Sequence, residues 1–350
     1  MSKWLKRIGL VLLALILLLV VVFAVLYWTR FASIATVEEI VPDEFYTMDF
    51  KADYKLDELL SKNLENDDIF VDEAIKQMFP LLPIKMEAPD LLCTVFAAET
   101  ADGQHVFGRN YDLTETNGLL LKTSPKDGYS SLSMVDMTII DAKTPLDLMN
   151  KMKFLIAPYA TIDGINEKGL GVAALVVNGE PTYQDTGKTP ITTNLALRLM
   201  LDKAANVSEA VKLLEGYDMR ASGGASFHFF ITDTSGKSVV VEYYNNEMTV
   251  VDSNVCTNFF LTPGAPPSTS KNRCYERFDL AKTMLETAGK GLTAKSAMDI
   301  LSAAHMDDQM DKDLITTQWS EVFNLETGAV TIALDRDYGK VYEYTLNTLK

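Results

Sequence analysis

The chain opens on an unbroken apolar run, residues 8–28, and then breaks into short segments whose hydrophobic period keeps changing. The run holds aliphatic residues, glycine and aromatics, with Tyr27 and Trp28 at its end. About 20 such residues suffice to cross a bilayer as a helix, and aromatic residues favour its interfaces. Helical spacing returns at Asp57-Glu58-Leu59-Leu60-Ser61-Lys62-Asn63-Leu64 and over residues 70–79. Pro80, Pro83 and Pro89 then break helix and lead an extended chain into Cys93. Beyond that point, strand-like segments come in pairs around turn residues. Residues 93–100 and 105–112 flank Asp102-Gly103, the strongest short hairpin signal. Residues 164–177 turn at Asn166-Glu167-Lys168-Gly169, 227–249 at Asp233-Thr234-Ser235-Gly236-Lys237, and 319–333 at Glu326-Thr327-Gly328. Helical stripes fill residues 192–217, 273–287 and 293–305. Hairpins alternating with helix pairs predict antiparallel sheets covered by helices, an α+β layered domain.

Folding the first hairpin about Asp102 and Gly103 sets Cys93 opposite Asp112, with Arg109 nearby. A lone cysteine is by default a small buried hydrophobe. Here a guanidinium and a carboxylate meet it through local geometry, and a cation lowers a thiol from its reference of about 8.5 toward the reactive thiolate. Cys93 is therefore the candidate nucleophile.

Charge and composition narrow the class. The net charge of −16 disfavours nucleic acid, whose phosphates call for clustered Lys and Arg. The few clustered basic residues, Lys3, Lys6 and Arg7, precede the apolar run, and Glu38, Glu39, Asp43 and Glu44 follow it. The positive-inside rule then predicts a single-pass cell-membrane protein with its catalytic domain extracytoplasmic. A cleavable leader ending at Ser33-Ile34-Ala35 competes, but the run exceeds the usual apolar core of about 7–15 residues. The expected organisation is an anchor over residues 1–28, a linker or pro-segment over 29–92, and a catalytic domain over 93–350. Ile75, Met78, Phe79, Leu81 and Leu82 suggest that the middle zone packs on the domain. Cys256 and Cys274 could form a bridge that leaves Cys93 free. Scattered His105, His228 and His305, without metal-ligand spacing, predict neither metal nor cofactor.

The run Cys93-Thr94, Asp102-Gly103 and Gly108-Arg109-Asn110-Tyr111-Asp112 resembles the start of the mature chain in choloylglycine hydrolases, the linear amide C–N hydrolases of the N-terminal-nucleophile (Ntn) superfamily. Asp163-Gly164-Ile165-Asn166-Glu167-Lys168-Gly169-Leu170-Gly171, the 228–242 hairpin, Thr257-Asn258, Asn272-Arg273 and Thr317-Gln318-Trp319 extend the resemblance in order over residues 93–346. It implies a four-layer αββα sandwich and amide cleavage through an acyl-enzyme on Cys93. The α-amino group of Cys93 would be the base, after autocatalytic cleavage of Leu92–Cys93. Asp112 would hold that amine, Arg109 would favour the thiolate, and Asn258 would bind the oxyanion. Arg273 would be the late-chain arginine of the site, with Arg277 as fallback. Bile salt hydrolases carry Asn, and penicillin V acylases Tyr, where Val176 stands here; Asn178 lies two residues on, on the same strand face. The implied substrate is a small N-acyl amide with an apolar acyl part; the cleaved pro-segment would either stay non-covalently associated or leave, releasing the catalytic part from its anchor. An acyltransferase of the same fold, or a non-catalytic membrane-anchored binding domain, is the alternative.

Overall fold

The computed structural model describes residues 3–79, 92–114, 116–144, 146–269, 273–310 and 313–349. Its first part runs α1 (Lys3–Ile34), β1 (Glu38–Val41), β2 (Phe45–Phe50), α2 (Leu56–Leu60), α3 (Asp67–Met78), β3 (Leu92–Glu99), β4 (His105–Leu113), β5 (Gly118–Thr123) and β6 (Ser131–Asp136). The middle continues with α4 (Leu148–Lys153), β7 (Thr161–Asn166), β8 (Gly171–Val177), β9 (Thr189–Thr192), α5 (Thr193–Lys203), α6 (Val207–Leu214), β10 (Tyr217–Arg220), β11 (Ser226–Thr232), β12 (Ser238–Glu242), β13 (Thr249–Asp252) and β14 (Val255–Cys256). The last part is α7 (Cys274–Ala288), α8 (Ala294–Ala303), β15 (Asp307–Met310), β16 (Asp313–Asn324), β17 (Ala329–Leu334) and β18 (Val341–Thr345).

Among the described residues, one large sheet has the order β1-β2-β5-β6-β7-β8-β11-β12-β13, a second β14-β3-β4-β16-β17-β18 with β15 on β16, and β9 and β10 form a separate parallel pair. The first two sheets stack face to face, and Phe107 of β4 lies on Phe230 of β11 with ring centroids 5.9 Å apart. Helices α5 and α6 cover the outside of the first sheet, and α7 and α8 the outside of the second. The layers are therefore helix, sheet, sheet, helix. Each sheet is apolar on both faces because each packs on a sheet and on helices, which explains near-continuous burial along β4 and β8.

The predicted hairpins and helices form within a few residues of their expected bounds. The helical stretch at 192–217 divides, because Ala204 is extended and Asn206 restarts the chain as an N-cap, accepting from Glu209 N. The sheets are not wholly antiparallel. β2 pairs with β5 in parallel, which topology allows because the chain visits the other sheet between them. This pairing places residues 45–50 inside the first sheet, so the zone before Cys93 supplies strands as well as a connection.

The expected membrane span is corrected. Among the described residues no helix is long and apolar enough to cross a membrane. The end of α1 is instead built into the domain. Tyr27, Ser33 and Ile34 are buried, Ser33 Oγ accepts from the backbone N–H of Lys51 and Ala52, and Arg30 Nη2 donates to Gln77 O at 2.9 Å. Run length alone had implied the span, and packing of the helix end against β2 is invisible to it. The expectations of a membrane partner and a cell-membrane, extracytoplasmic location fall with it. Pro80, Leu81, Leu82, Pro83, Pro89 and Asn272, used in the sequence reading, lie outside the described residues.

Candidate active site

The hairpin of β3 and β4 turns at Asp102-Gly103, where Gly103 takes φ +79, a conformation that glycine adopts freely. Its register differs by one residue from the expectation. Cys93 pairs with Tyr111, Val95 with Arg109, and Leu92 with Asp112. Because side chains alternate, this single step sends the expected partners to opposite faces. Cys93, Val95, Arg109 and Tyr111 point between the sheets, and Thr94, Asn110 and Asp112 point toward α7 and α8. Gly108 sits on that outer face under the Phe96 ring, 2.5 Å from where a Cβ would be.

On the inner face, Arg109 Nη2 donates to Cys93 Sγ at 2.9 Å and to Ala174 O at 3.1 Å. Arg109 Nη1 donates to Ile162 O at 2.8 Å and meets Asp163 Oδ2 at 2.7 Å. β7 and β8 thus hold the edge of the guanidinium against the sulfur. Burial pushes the Cys93 thiol up to about 11; Arg109 pulls the other way, and Asp112 and Asp163 add to the rise. At neutral pH Cys93 is accordingly a neutral thiol.

On the outer face, Arg277 of α7 reaches through to the backbone of Cys93. Its Nη1 donates to Cys93 O at 2.9 Å and Thr94 Oγ1 at 2.6 Å, and meets Asp112 Oδ2 at 3.1 Å; its Nη2 donates to Asn258 Oδ1 at 2.8 Å. Asp112 Oδ1 accepts from Thr317 Oγ1 at 2.5 Å. Burial raises the Asp112 carboxyl, with Arg277 and Thr317 opposing. Asn258 Oδ1 also accepts from Cys93 N at 3.0 Å, and Asn258 Nδ2 donates to Val176 O at 2.8 Å.

Cys93, Arg109, Asp112 and Asn258 are therefore brought together, and Val176 joins them through its backbone carbonyl. Arg273 is not. It sits just before α7 with φ +54, its side chain a third exposed, bound to Glu276 and Asp308. Arg273 and Arg277 are one helical turn apart, and only depth, which spacing does not encode, separates them. Asn178 lies past the end of β8, exposed, donating to Thr269 Oγ1 at 3.1 Å. Cys256 and Cys274 are both buried thiols, with no disulfide between them.

Five side chains near the site were given no role by sequence reasoning. Asp163 and Glu321 approach Arg109 from β7 and β16, and Glu321 is its direct cross-strand neighbour. Cys256 Sγ lies 3.3 Å from His228 Nε2, and His228 Nδ1 donates to Glu242 Oε1 at 3.1 Å. Inward-facing acids on strands that otherwise bury apolar residues are the signal that could have flagged Asp163 and Glu321. Among the described residues, no His, Cys, Asp and Glu side chains are grouped so as to hold a metal ion.

The model for linear amide C–N hydrolases, choloylglycine hydrolase family, matches residues 93–259. A bile salt hydrolase/transferase of Clostridium perfringens is 30% identical over 174 residues, covering 47% of this chain and 52% of the relative. The chain thus spans about half the length of that curated relative. A mutant conjugated bile acid hydrolase of Clostridium perfringens superposes with TM-score 0.55 at 20% identity, over 73% of this chain and 92% of that one. A penicillin V acylase from Agrobacterium tumefaciens gives TM-score 0.50 at 18% identity, over 69% of this chain and 83% of that one. The layered sandwich is thus an Ntn-hydrolase-like α+β fold. Through residues 93–259, where the hairpin and Asn258 both lie, the chain is similar to the choloylglycine hydrolase family of linear amide C–N hydrolases.

Proposed function

We propose that the protein hydrolyses a small N-acyl amide through an acyl-enzyme on Cys93. The observation that carries this reading is the 2.9 Å contact of Arg109 Nη2 with Cys93 Sγ, made while Asn258 grips the backbone N–H of the same residue. Cys93 first becomes N-terminal. Its Sγ attacks the Leu92 carbonyl carbon, the peptide shifts from nitrogen to sulfur, and water hydrolyses the thioester. This leaves the Leu92 carboxylate and a free Cys93 amine, whose reference pKa of about 7.7–8.0 suits a base at neutral pH. Arg277 and Asp112 flank that backbone and hold it.

In turnover the amine takes the Sγ proton and the thiolate attacks the substrate's amide carbon. Asn258 donates its side-chain amide to the oxyanion, a contact that typically contributes about 10²–10³-fold in rate. The C–N bond breaks, the amine leaves with the proton, and water cleaves the thioester to release the acid and restore the thiol. The partly buried apolar Val176 and the aliphatic walls of β8 suit an apolar acyl part. An amine in place of water would give acyl transfer; the hydrolase/transferase name of the Clostridium perfringens relative favours testing it.

The test is turnover of a panel of N-acyl amides, with intact mass recorded during reaction. Wild type is expected to release amine and carry one acyl group on Cys93, and Cys93→Ser to lose turnover by at least 10³-fold. Full activity in Cys93→Ser, or an acyl group on another residue, overturns the proposal. Release of acid without an added amine, and of a new amide with one, separates hydrolysis from transfer.

A further inference from the structure

Behind the sulfur, Arg109 faces two carboxyl groups. Asp163 Oδ2 lies 2.7 Å from Arg109 Nη1, and Glu321 stands directly across the strand pair from Arg109. Both acids are wholly buried, and their four carboxyl oxygens make no hydrogen bond of ordinary geometry. Each acts on the other and on the same guanidinium, which is the cation that both face. Two carboxylates against one cation, away from water, leave a net buried negative charge. Such a pair is relieved when one member keeps its proton and donates it to the other. Glu321 is the member pushed far toward the protonated form by burial and by Asp163.

We propose that Asp163 and Glu321 share one proton and, as a single unit of one negative charge, set how much of the Arg109 charge reaches Cys93. They are positioning residues that act through Arg109. The arrangement matters because Arg109 divides its two terminal nitrogens among Sγ, Asp163 and two backbone carbonyls. One negative charge steadies the guanidinium, whereas two would hold it away from the thiolate. The other groups facing Cys93 are Asp112 and Arg277 from the outer side, Tyr111 beside it and Cys256 from β14. None of these changes in the variants below.

The inference rests on Cys93 as the reactive thiol. Its test reads the proton on Cys93 rather than turnover, so the two can fail separately. The rate of Cys93 alkylation by iodoacetamide, located by peptide mass, is followed from pH 6 to 10 in the full chain. A shared proton makes Glu321→Gln nearly silent, because Asp163 stays charged. Asp163→Asn is silent too, because Glu321 then releases its proton. Only the double variant strips the charge. It is expected to alkylate at least tenfold faster at neutral pH, about one unit lower in apparent thiol pKa, with each single variant within twofold of wild type. A single variant that shifts the profile as far as the double, or a double variant with the wild-type profile, overturns the proposal. If the double variant fails to fold, the infrared band of a protonated carboxyl decides. Its presence in wild type at neutral pH and loss in both single variants is expected, and its absence in wild type overturns the idea.

Discussion

Arg277 and Asp112 form an ion pair at 3.1 Å with both side chains wholly buried. The pair lies on the opposite face of the hairpin from the Cys93 sulfur, yet Arg277 reaches the Cys93 carbonyl at 2.9 Å. One face of the same two strands carries the sulfur, and the other fixes the backbone on which it sits.

This relationship separates two arginines that lie one turn apart. Arg277→Ala leaves Asp112 as an unpaired buried charge and is expected to destabilise the fold by about 3–5 kcal/mol. Arg277→Lys restores the charge without the fork that spans Cys93, Thr94 and Asn258, and should retain folding with at least tenfold lower kcat. Arg273→Ala, which removes two partly exposed ion pairs, should change stability by less than about 1 kcal/mol and kcat by less than twofold. Thermal melts and turnover on the three variants check this ordering.

Arg109→Lys keeps a positive charge near Cys93 but cannot serve the sulfur, Asp163 and two carbonyls from one plane. Because Arg109 is what opposes the upward push of burial on the thiol, the variant should titrate at higher pH than wild type. Alkylation of Cys93 at neutral pH should slow by about tenfold. An unchanged profile would mean that the 2.9 Å contact has no electrostatic consequence.

Cleavage before Cys93 gives a mass prediction. Active protein should contain a fragment that begins at Cys93, and Cys93→Ala should remain a single chain of 38.9 kDa. Asn258→Ala, which frees the Cys93 N–H from its acceptor, should slow the cut without abolishing it. Intact mass and N-terminal sequencing at successive times measure both.

Glu242 predicts a pH-dependent contribution to stability. Burial raises its carboxyl, but bonds from His228, Thr262 and Leu261 N–H outweigh this and hold it below the ordinary range. A depressed acid stabilises the fold above its unfolded value of about 4.3 and loses that contribution as pH falls through the lower, folded value. Glu242→Gln should therefore cost about 1–3 kcal/mol at neutral pH. The gap to wild type should close as pH drops below about 4. Denaturant unfolding at pH 7 and in acid measures it. Because Glu242 pins the segment just after Asn258, the variant should also lower kcat.

Local signals were enough for the elements and for much of the site. Asp102-Gly103 specifies a hairpin whatever surrounds it, and that hairpin alone brings Cys93 near Arg109. The order of motifs from Cys93 to Trp319 pointed to the family and its layered sandwich. What sequence could not supply was depth and register. A one-residue step in strand pairing reverses every side chain, so Asp112 faces α7 and not the thiol. Arg273 and Arg277 share a helical period, and only packing of α7 on β3 buries one of them. The apolar run at the start had the length of a membrane span, but the seating of its last turns against β2 is a tertiary contact. Asp163 and Glu321 are 158 residues apart in number, and only the stacking of one sheet on the other sets them around one guanidinium.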